Sequence, residues 1–146
     1  MFGSEYASEI LFRELTTLLP DYAGKIVGMA IAPESMTLPG CMFYPEQSMY
    51  SGPAFNRSAG DSLNYEGVRF AVRFACLGTS TNPIKAAALA QLNHLDGATF
   101  DEQYDGRWYA FSFIANGEYL PTTAIRNDVL YRQLGTVYNV EITRGE

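Results

Sequence analysis

The segment from Tyr65 to Leu77, YEGVRFAVRFACL, places apolar side chains at alternating positions over an unusual length. The apolar residues on one side are Val68, Phe70, Val72, Phe74 and Cys76. Arg69 and Arg73 fall on the other side. This alternation is typical of an antiparallel strand with one buried face. Because a usual strand has about five or six residues, we expect part of this strand to extend beyond the body of the domain.

A second long strand is predicted from Asn127 to Ile142. The side chains that share one of its faces are Tyr138, Val140 and Ile142. We expect this face to pack into the domain. The first half of the strand is more polar, since Arg132 interrupts its apolar run and Gly135 follows. We expect Gly135 to allow a β-bulge where the strand changes from one role to the other.

Two helices are predicted around these strands. Residues 5–19 have an amphipathic pattern, and Ser4 is the expected N-cap. The apolar stripe of this helix consists of Ala7, Leu11, Leu15 and Leu18. The second helix is expected to start at a cap formed by Thr81 or Asn82 and to run to Leu95.

Three further strands are predicted at residues 25–31, 41–45 and 107–115. The last of these is apolar on both faces, which indicates a central strand. Residues 46–64 are rich in Gly, Ser, Pro and Asn and predict a long connection, which in a compact domain is functional or disordered. Asn116-Gly117 is predicted to form a turn.

The order of these elements is α-β-β-loop-β-α-β-β. It predicts an α+β fold with a mainly antiparallel sheet, flanked by the N-terminal helix and the second helix, with a long extended strand pair and a loop. A length of 146 residues predicts a single domain that covers residues 1–146.

The charge balance argues against a nucleic-acid-binding protein. The chain has 10 basic and 16 acidic residues and a net charge of −6, so it repels phosphate, and its arginines are scattered. No apolar run is long enough to span a membrane, and we expect no signal peptide. Cys41 and Cys76 are therefore expected to be reduced thiols in a cytoplasmic protein.

Few residues are candidates for catalysis or metal binding. His94 is the one histidine, and its position near a helix C-terminus favours a structural role. Cys76 falls on the buried face of its strand, whereas Cys41 begins a strand at a position where exposure is possible. The acidic segment 96–106 lacks the spacing of a calcium loop and predicts a solvated turn. We therefore expect no catalytic residue, no cofactor and no metal site, and a protein that is not an enzyme.

Arg69 and Arg73 point the same way along their strand, about 13 Å apart. Two interpretations stay open. The arginines belong to a solvated face that keeps the strand soluble, or they form ion pairs with an acidic neighbouring subunit, for which arginine is well suited. The scarcity of catalytic residues beside two long strands and a long loop favours an assembly protein.

The C-terminal part of the chain, AFSFIANGEYLPTTAIRNDVLYRQLGTVYNVEI, resembles the end of the tail terminator (tail completion) proteins of long-tailed bacteriophages. In that family a strand is followed by a short segment with a proline, an acidic residue, a basic residue and a final strand that ends near Tyr-x-Val. The corresponding positions are Phe111 to Ile114, Pro121, Asp128, Arg132 and Tyr138-Asn139-Val140. The order of the other elements is similar too, although residues 46–64 have no match.

The resemblance implies a structural virion protein of the tail or neck that assembles in the host cytoplasm. Six copies would form a ring that caps the tail tube, ends tube polymerisation and joins the tail to the head–neck complex. The implied partners are other copies of the chain, the tail tube protein and the head–tail connector or neck protein. DNA would pass through the lumen without specific binding, and no membrane is involved.

The residues expected at the contact with a neighbouring subunit or the tube are Arg69, Arg73, Tyr131 and Arg132. Two other functions stay open beside the tail terminator. One is a head–tail connector or stopper ring, and the other is a small ligand-binding α+β domain.

Overall fold

The computed structural model describes residues 3–30, 36–52, 65–78, 80–126 and 129–145, which contain two helices and six strands. The helices are α1 (Ser4–Leu18) and α2 (Asn82–Leu95), with a short 3-10 turn at Pro20–Tyr22. The strands are β1 (Ile26–Val27), β2 (Gly40–Gly52), β3 (Tyr65–Leu77), β4 (Thr99–Tyr104), β5 (Arg107–Arg126) and β6 (Val129–Arg144). The predicted α+β class is confirmed, and the bounds of β3 match the predicted strand.

The six strands form one sheet with the order β1-β2-β3-β6-β5-β4. Strands β1 and β2 run parallel, and all other neighbours run antiparallel. The last strand in sequence, β6, therefore lies inside the sheet between β3 and β5. It pairs with β3 from Tyr65 opposite Thr143 to Leu77 opposite Tyr131 without a shift in register.

Both helices pack on the same face of this sheet. Helix α1 contributes Ala7, Ile10, Leu11 and Leu15 to the core, and α2 contributes Ile84, Ala87, Ala88 and Leu95. The strand residues that they meet include Val68, Phe70, Val72, Phe74, Tyr138, Val140 and Ile142. The inward faces predicted for β3 and β6 are therefore confirmed. Full burial of each large apolar side chain stabilises the fold by roughly 1.5–3 kcal/mol.

Buried polar contacts fix the two helices to the sheet. On α2, Gln91 donates from Nε2 to the Thr136 hydroxyl at 2.8 Å and accepts from the Tyr138 hydroxyl at 2.7 Å. At the start of α1, the backbone N–H of Gly3 donates to the buried carboxylate of Glu66 at 3.0 Å. Because buried polar groups are costly when unpaired, these bonds favour one docking position for each helix.

Several boundaries in the first half of the chain differ from the expectation. Helix α1 begins at Ser4 with Gly3 as its N-cap, so the prediction of Ser4 as the N-cap is wrong. Strand β1 is shorter than predicted, because the chain bends at residues 28–30. Strand β2 continues through residues 46–52, which were expected to belong to a loop, since their backbone pairs with β3. Residues 53–64 of that predicted loop lie outside the described residues.

The second half of the chain contains more strand than predicted. The acidic segment expected to be a solvated turn contains β4, whose backbone pairs with β5. Turns occur at its two ends, Asp96-Gly97 and Asp105-Gly106, with positive φ at Gly97, Asp105 and Gly106. Asn116-Gly117 does not form a turn. Strand β5 continues past it with a shift in register between Ala115 and Glu118. Residues 127 and 128, which include the predicted start of the last strand, lie outside the described residues.

Gly135 does not form the predicted bulge. The β3–β6 pairing is continuous, and the irregularities lie in β5 instead. A Cβ atom placed on Gly135 would collide with the carbonyl oxygen of Val72 and lie 2.8 Å from the Cα atom of Arg73. Glycine is required at this position because β6 approaches the backbone of β3 too closely for any side chain.

We expect Gly135→Ala to lower the free energy of unfolding by about 1–3 kcal/mol, the usual cost of overpacking, or more, because the new methyl group meets rigid backbone. Urea denaturation followed by circular dichroism measures the change. Gly145→Ala is the control, since its Cβ atom would make only a tight contact, 3.3 Å from the carbonyl oxygen of Trp108, and no collision. Equal stability of the two variants would show that β6 and β3 move apart without cost.

Candidate functional site

We call the face of the sheet that points away from both helices the open face, although Ala71, Ala75 and Gln133 on it are buried. Side chains alternate between the two faces along each strand. The open face therefore carries Arg69, Ala71, Arg73 and Ala75 of β3, Gln133, Val137 and Asn139 of β6, Trp108, Ala110, Ser112 and Ile114 of β5, and Asp101 of β4. In the described part of the chain neither helix covers it.

Arg73 is anchored on the open face by three neighbouring segments. Its guanidinium group donates to the side-chain oxygen of Gln133 on β6 at 2.9 Å and to the backbone carbonyl of Ala30. It also lies 5.2 Å from the ring centroid of Tyr44 on β2, within the range of a cation–π contact. Arg73 thus ties the segment after β1 to the sheet, which is a structural role.

Arg69 lies four residues earlier on the same face and has a different environment. It is half-buried, and its Nε atom, like that of Arg73, is buried without a hydrogen-bond partner in the described residues. The difference is that the terminal nitrogens of Arg73 donate to Gln133 and Ala30. Its neighbour across the strand pair is Asn139 of β6, which carries no charge. A guanidinium group with an unused donor suits the bidentate binding of a carboxylate or a phosphate. Arg69 is therefore the arginine of this pair that is available to a partner.

The other two residues predicted at the interface fall on opposite faces of β6. Tyr131 lies opposite Leu77 on the open face, where it packs beside a small cluster of Met36, Met42 and Ala75. Arg132 lies opposite Cys76, on the side of the helices, and its Nε atom is buried without a partner among the described residues. Adjacent strand residues point to opposite faces, so the sequence itself contained the signal that separates Arg132 from the other three.

Apolar side chains are exposed at both ends of the sheet, which the sequence patterns did not indicate. At one end Leu77 is 55% exposed, and Val129 and Leu130 of β6 lie beside it, with the carbonyl of Leu130 accepting from the N–H of Gly78. At the other end Trp108 is also 55% exposed and borders a groove of about 580 Å³. The groove is lined by Asp101, Trp108, Tyr109, Ala110, Thr143 and Gly145. The one sequence feature that marks this groove is the single Trp, which stands at the start of a strand with two apolar faces.

The cysteines are not built for nucleophilic chemistry. Cys41 is fully buried, so the expectation that it could be exposed is wrong, and burial raises the pKa of its thiol. The reason is that β1 and β3 both pair with β2 at this residue. Burial also raises the pKa of the Cys76 thiol, which donates to the carbonyl of Ser80 at 3.2 Å. A thiol with a raised pKa is a poor nucleophile at neutral pH.

His94 and its acidic neighbours on α1 and β4 have ordinary surface environments. His94 is exposed in the last turn of α2, where its Nε2 atom lies 3.0 Å from a carboxylate oxygen of Glu14 on α1. Glu14 also accepts from Arg13, which makes a second ion pair with Glu102. Within the described ranges, no three His, Cys, Asp or Glu side chains are grouped so that they could hold a metal ion. These contacts link α1 to α2 and β4 at the surface.

Comparisons with known proteins add no assignment. No protein-family model matches this chain, and no curated protein matches its sequence. Neither helix among the described residues is long and apolar enough to cross a membrane.

The different environments of the two arginines lead to a test of their roles. We expect Arg73→Met to lower the free energy of unfolding by about 1.5–3 kcal/mol, because charge-assisted hydrogen bonds to Gln133 and Ala30 are lost. Arg69→Met on the same strand and face should not lower it, because the change removes a buried Nε donor that no described residue satisfies. Thermal or urea unfolding of the two variants measures both values. A loss for Arg69→Met as large as that for Arg73→Met would make Arg69 structural as well.

Proposed function

We propose that this chain is a ring-forming structural protein of a virion, the tail terminator of a long-tailed bacteriophage. Copies of it would form a hexameric ring on the end of the tail tube, stop tube polymerisation and present a docking surface to the head–tail connector or neck protein. The resemblance of the C-terminal part to that family supports this function. The structural observation that supports it most is the open face, with the available guanidinium group of Arg69.

The open face has the character of a protein contact surface. Arginine and aromatic side chains are enriched in such contacts, and the centre of a contact is poor in other charges. Arg69 and Tyr44 border small, buried alanines on this face. An arginine whose Nε is buried without a partner is costly in the isolated chain and is stabilised when a carboxylate completes it. An acidic segment of a neighbouring protein is the ligand that this chemistry fits.

The chemistry of the interior also favours assembly over catalysis. The thiols of Cys41 and Cys76 have raised pKa values because they are buried. The buried amide of Gln91 on α2 is satisfied by Thr136 and Tyr138 and serves to dock the helix. Arg69 and Arg132, whose Nε donors find no acceptor among the described residues, belong to a type that pairs with acids rather than reacts.

Two measurements test the proposed ring directly. Light scattering over a concentration series should detect a particle of six 16.2 kDa chains, about 97 kDa. Electron microscopy of this particle should show a central hole, and tail tubes mixed with the protein should carry it at one end and stop growing. A protein that neither forms a ring nor binds to tube ends would rule out the proposed function.

Arg69 provides a point mutation with a matched control. We expect Arg69→Glu to weaken ring formation or tube binding by about tenfold or more, since it places a like charge against an acidic partner. Its folding stability should stay close to that of the wild type, because the Nε donor of Arg69 makes no bond to a described residue that the change would break. Lys85→Glu makes the same change in net charge on the exposed side of α2 and should assemble normally.

Arg69→Lys separates geometry from charge in the same assay. It keeps the positive charge but loses the planar fork that binds a carboxylate with two bonds, so an intermediate affinity is expected. If Arg69→Glu and Lys85→Glu assemble equally well, the partner does not use Arg69, and the open face loses its main support as the contact surface.

A further inference from the structure

We infer that neighbouring copies join head to tail, with the apolar end of one sheet inserted into the Trp108 groove of the next copy. The apolar end is formed by Leu77, Val129 and Leu130. This inference rests on the proposed ring and names the side chains that would form its repeating contact. It uses a different part of the molecule from Arg69.

The two surfaces lie at opposite ends of the same sheet. Along the β3–β6 pair, Leu77 is opposite Tyr131 at one end, and Tyr65 is opposite Thr143, which lines the groove, at the other. A subunit with two different complementary patches forms heterologous contacts, which close into a ring when the rotation between copies allows it. Two identical patches would instead give a two-fold dimer.

The sizes and the polarity of the two surfaces are compatible. The groove has a volume of about 580 Å³, within the range of pockets that hold ligands, and its walls are mostly apolar. The apolar end projects from the sheet. Strand β3 ends at Leu77, opposite Tyr131 of β6, whereas β5 and β6 stay paired two residues further, as far as Val129. An exposed tryptophan beside a pocket-sized groove is the kind of residue that dominates contacts between proteins.

Opposite charges beside the two surfaces favour their pairing between neighbouring copies. Arg132 follows Leu130 by two residues on the same face of β6, and its Nε is buried without a partner among the described residues. Among the described residues that line the groove, Asp101 is the charged one, and it is exposed on β4. Insertion of the apolar end would bring Arg132 of one copy, with its unused Nε donor, toward the Asp101 of the next. An apolar contact bordered by an Arg–Asp pair fits the usual anatomy of an interface.

Charge reversal on each side provides a specific test. Asp101→Lys alone and Arg132→Glu alone should each weaken assembly by about tenfold or more, because each places like charges at every contact. An equimolar mixture of the two variants should assemble like the wild type. In an alternating ring, the introduced lysine meets only the introduced glutamate, and the native Arg132 meets only the native Asp101, so each contact regains opposite charges. A variant that failed to fold would not regain assembly in the mixture, so recovery would show that the two charges meet.

Trp108 reports on the groove without a label, since the chain contains one tryptophan. Its emission should shift to the blue, and quenching by iodide should fall, as the wild type or the mixture assembles. Leu77→Glu should remove this shift and weaken assembly by about thirtyfold, which corresponds to a hot spot of about 2 kcal/mol. Leu89→Glu, which alters an equally exposed leucine on α2, should leave both unchanged.

The possible results separate this inference from the proposed function. If the wild type forms rings that cap tubes and both charge variants do so as well, the head-to-tail contact is wrong and the proposed function stands. A rescued particle of only two copies would indicate a two-fold contact and would also overturn it. Shielding of Trp108 in monomeric protein would show that the groove holds another ligand. If the wild type never associates and never binds tube ends, both proposals fail.

Discussion

The insertion of the last strand into the middle of the sheet is the constraint on which the rest of the structure depends. Strands β1, β2 and β3 come from the first half of the chain, and β4 and β5 come from the second. Strand β6 joins the two groups by pairing with β3 on one side and β5 on the other. The helices cover both groups on one face, so their docking also requires β6 to be in place. Gly135 is the residue at which this insertion is tightest.

The helices on one side leave the sheet with two unlike faces. The covered face is a continuous apolar core with a few buried polar groups. Gln91 is satisfied, whereas one oxygen of Glu66 finds no partner among the described residues. The open face contains small residues, arginines and a tryptophan, and these side chains do not take part in the helix-covered core. An antiparallel sheet tolerates water on one face. The cost of keeping Arg69 partly buried is understandable if a partner completes it.

Local patterns predicted the elements in which one face is buried, because burial leaves a regular signal in the sequence. Strand β3 has the predicted bounds, and Tyr138, Val140 and Ile142 lie on the inward face of β6 as predicted. The acidic strand β4 was missed because its pairing with β5 comes from the backbone and leaves little apolar periodicity. The role of Gly135 could not be read from β6 alone, since the close approach involves the backbone of a strand more than sixty residues earlier.

The candidate site was predicted only in part, because local patterns do not show which distant residues the fold brings together. The shared direction of Arg69 and Arg73 followed from their spacing, but their separate roles depend on Ala30, Tyr44 and Gln133, which the fold brings together from distant positions. The groove beside Trp108 depends on the order of β4, β5 and β6, which no local pattern contains.

Three arginines illustrate how the fold assigns different roles to one residue type. Arg73 is held by neighbours on three segments, so it stabilises the sheet. The Nε donors of all three arginines are buried without an acceptor among the described residues, but Arg69, on the same face, and Arg132, on the opposite face, lack the anchoring bonds that Arg73 makes. A guanidinium group loses favourable hydration when it is buried and regains that free energy only from an acceptor. If the proposed ring forms, carboxylates of neighbouring copies would supply these acceptors, and two arginines on different faces would direct two different contacts.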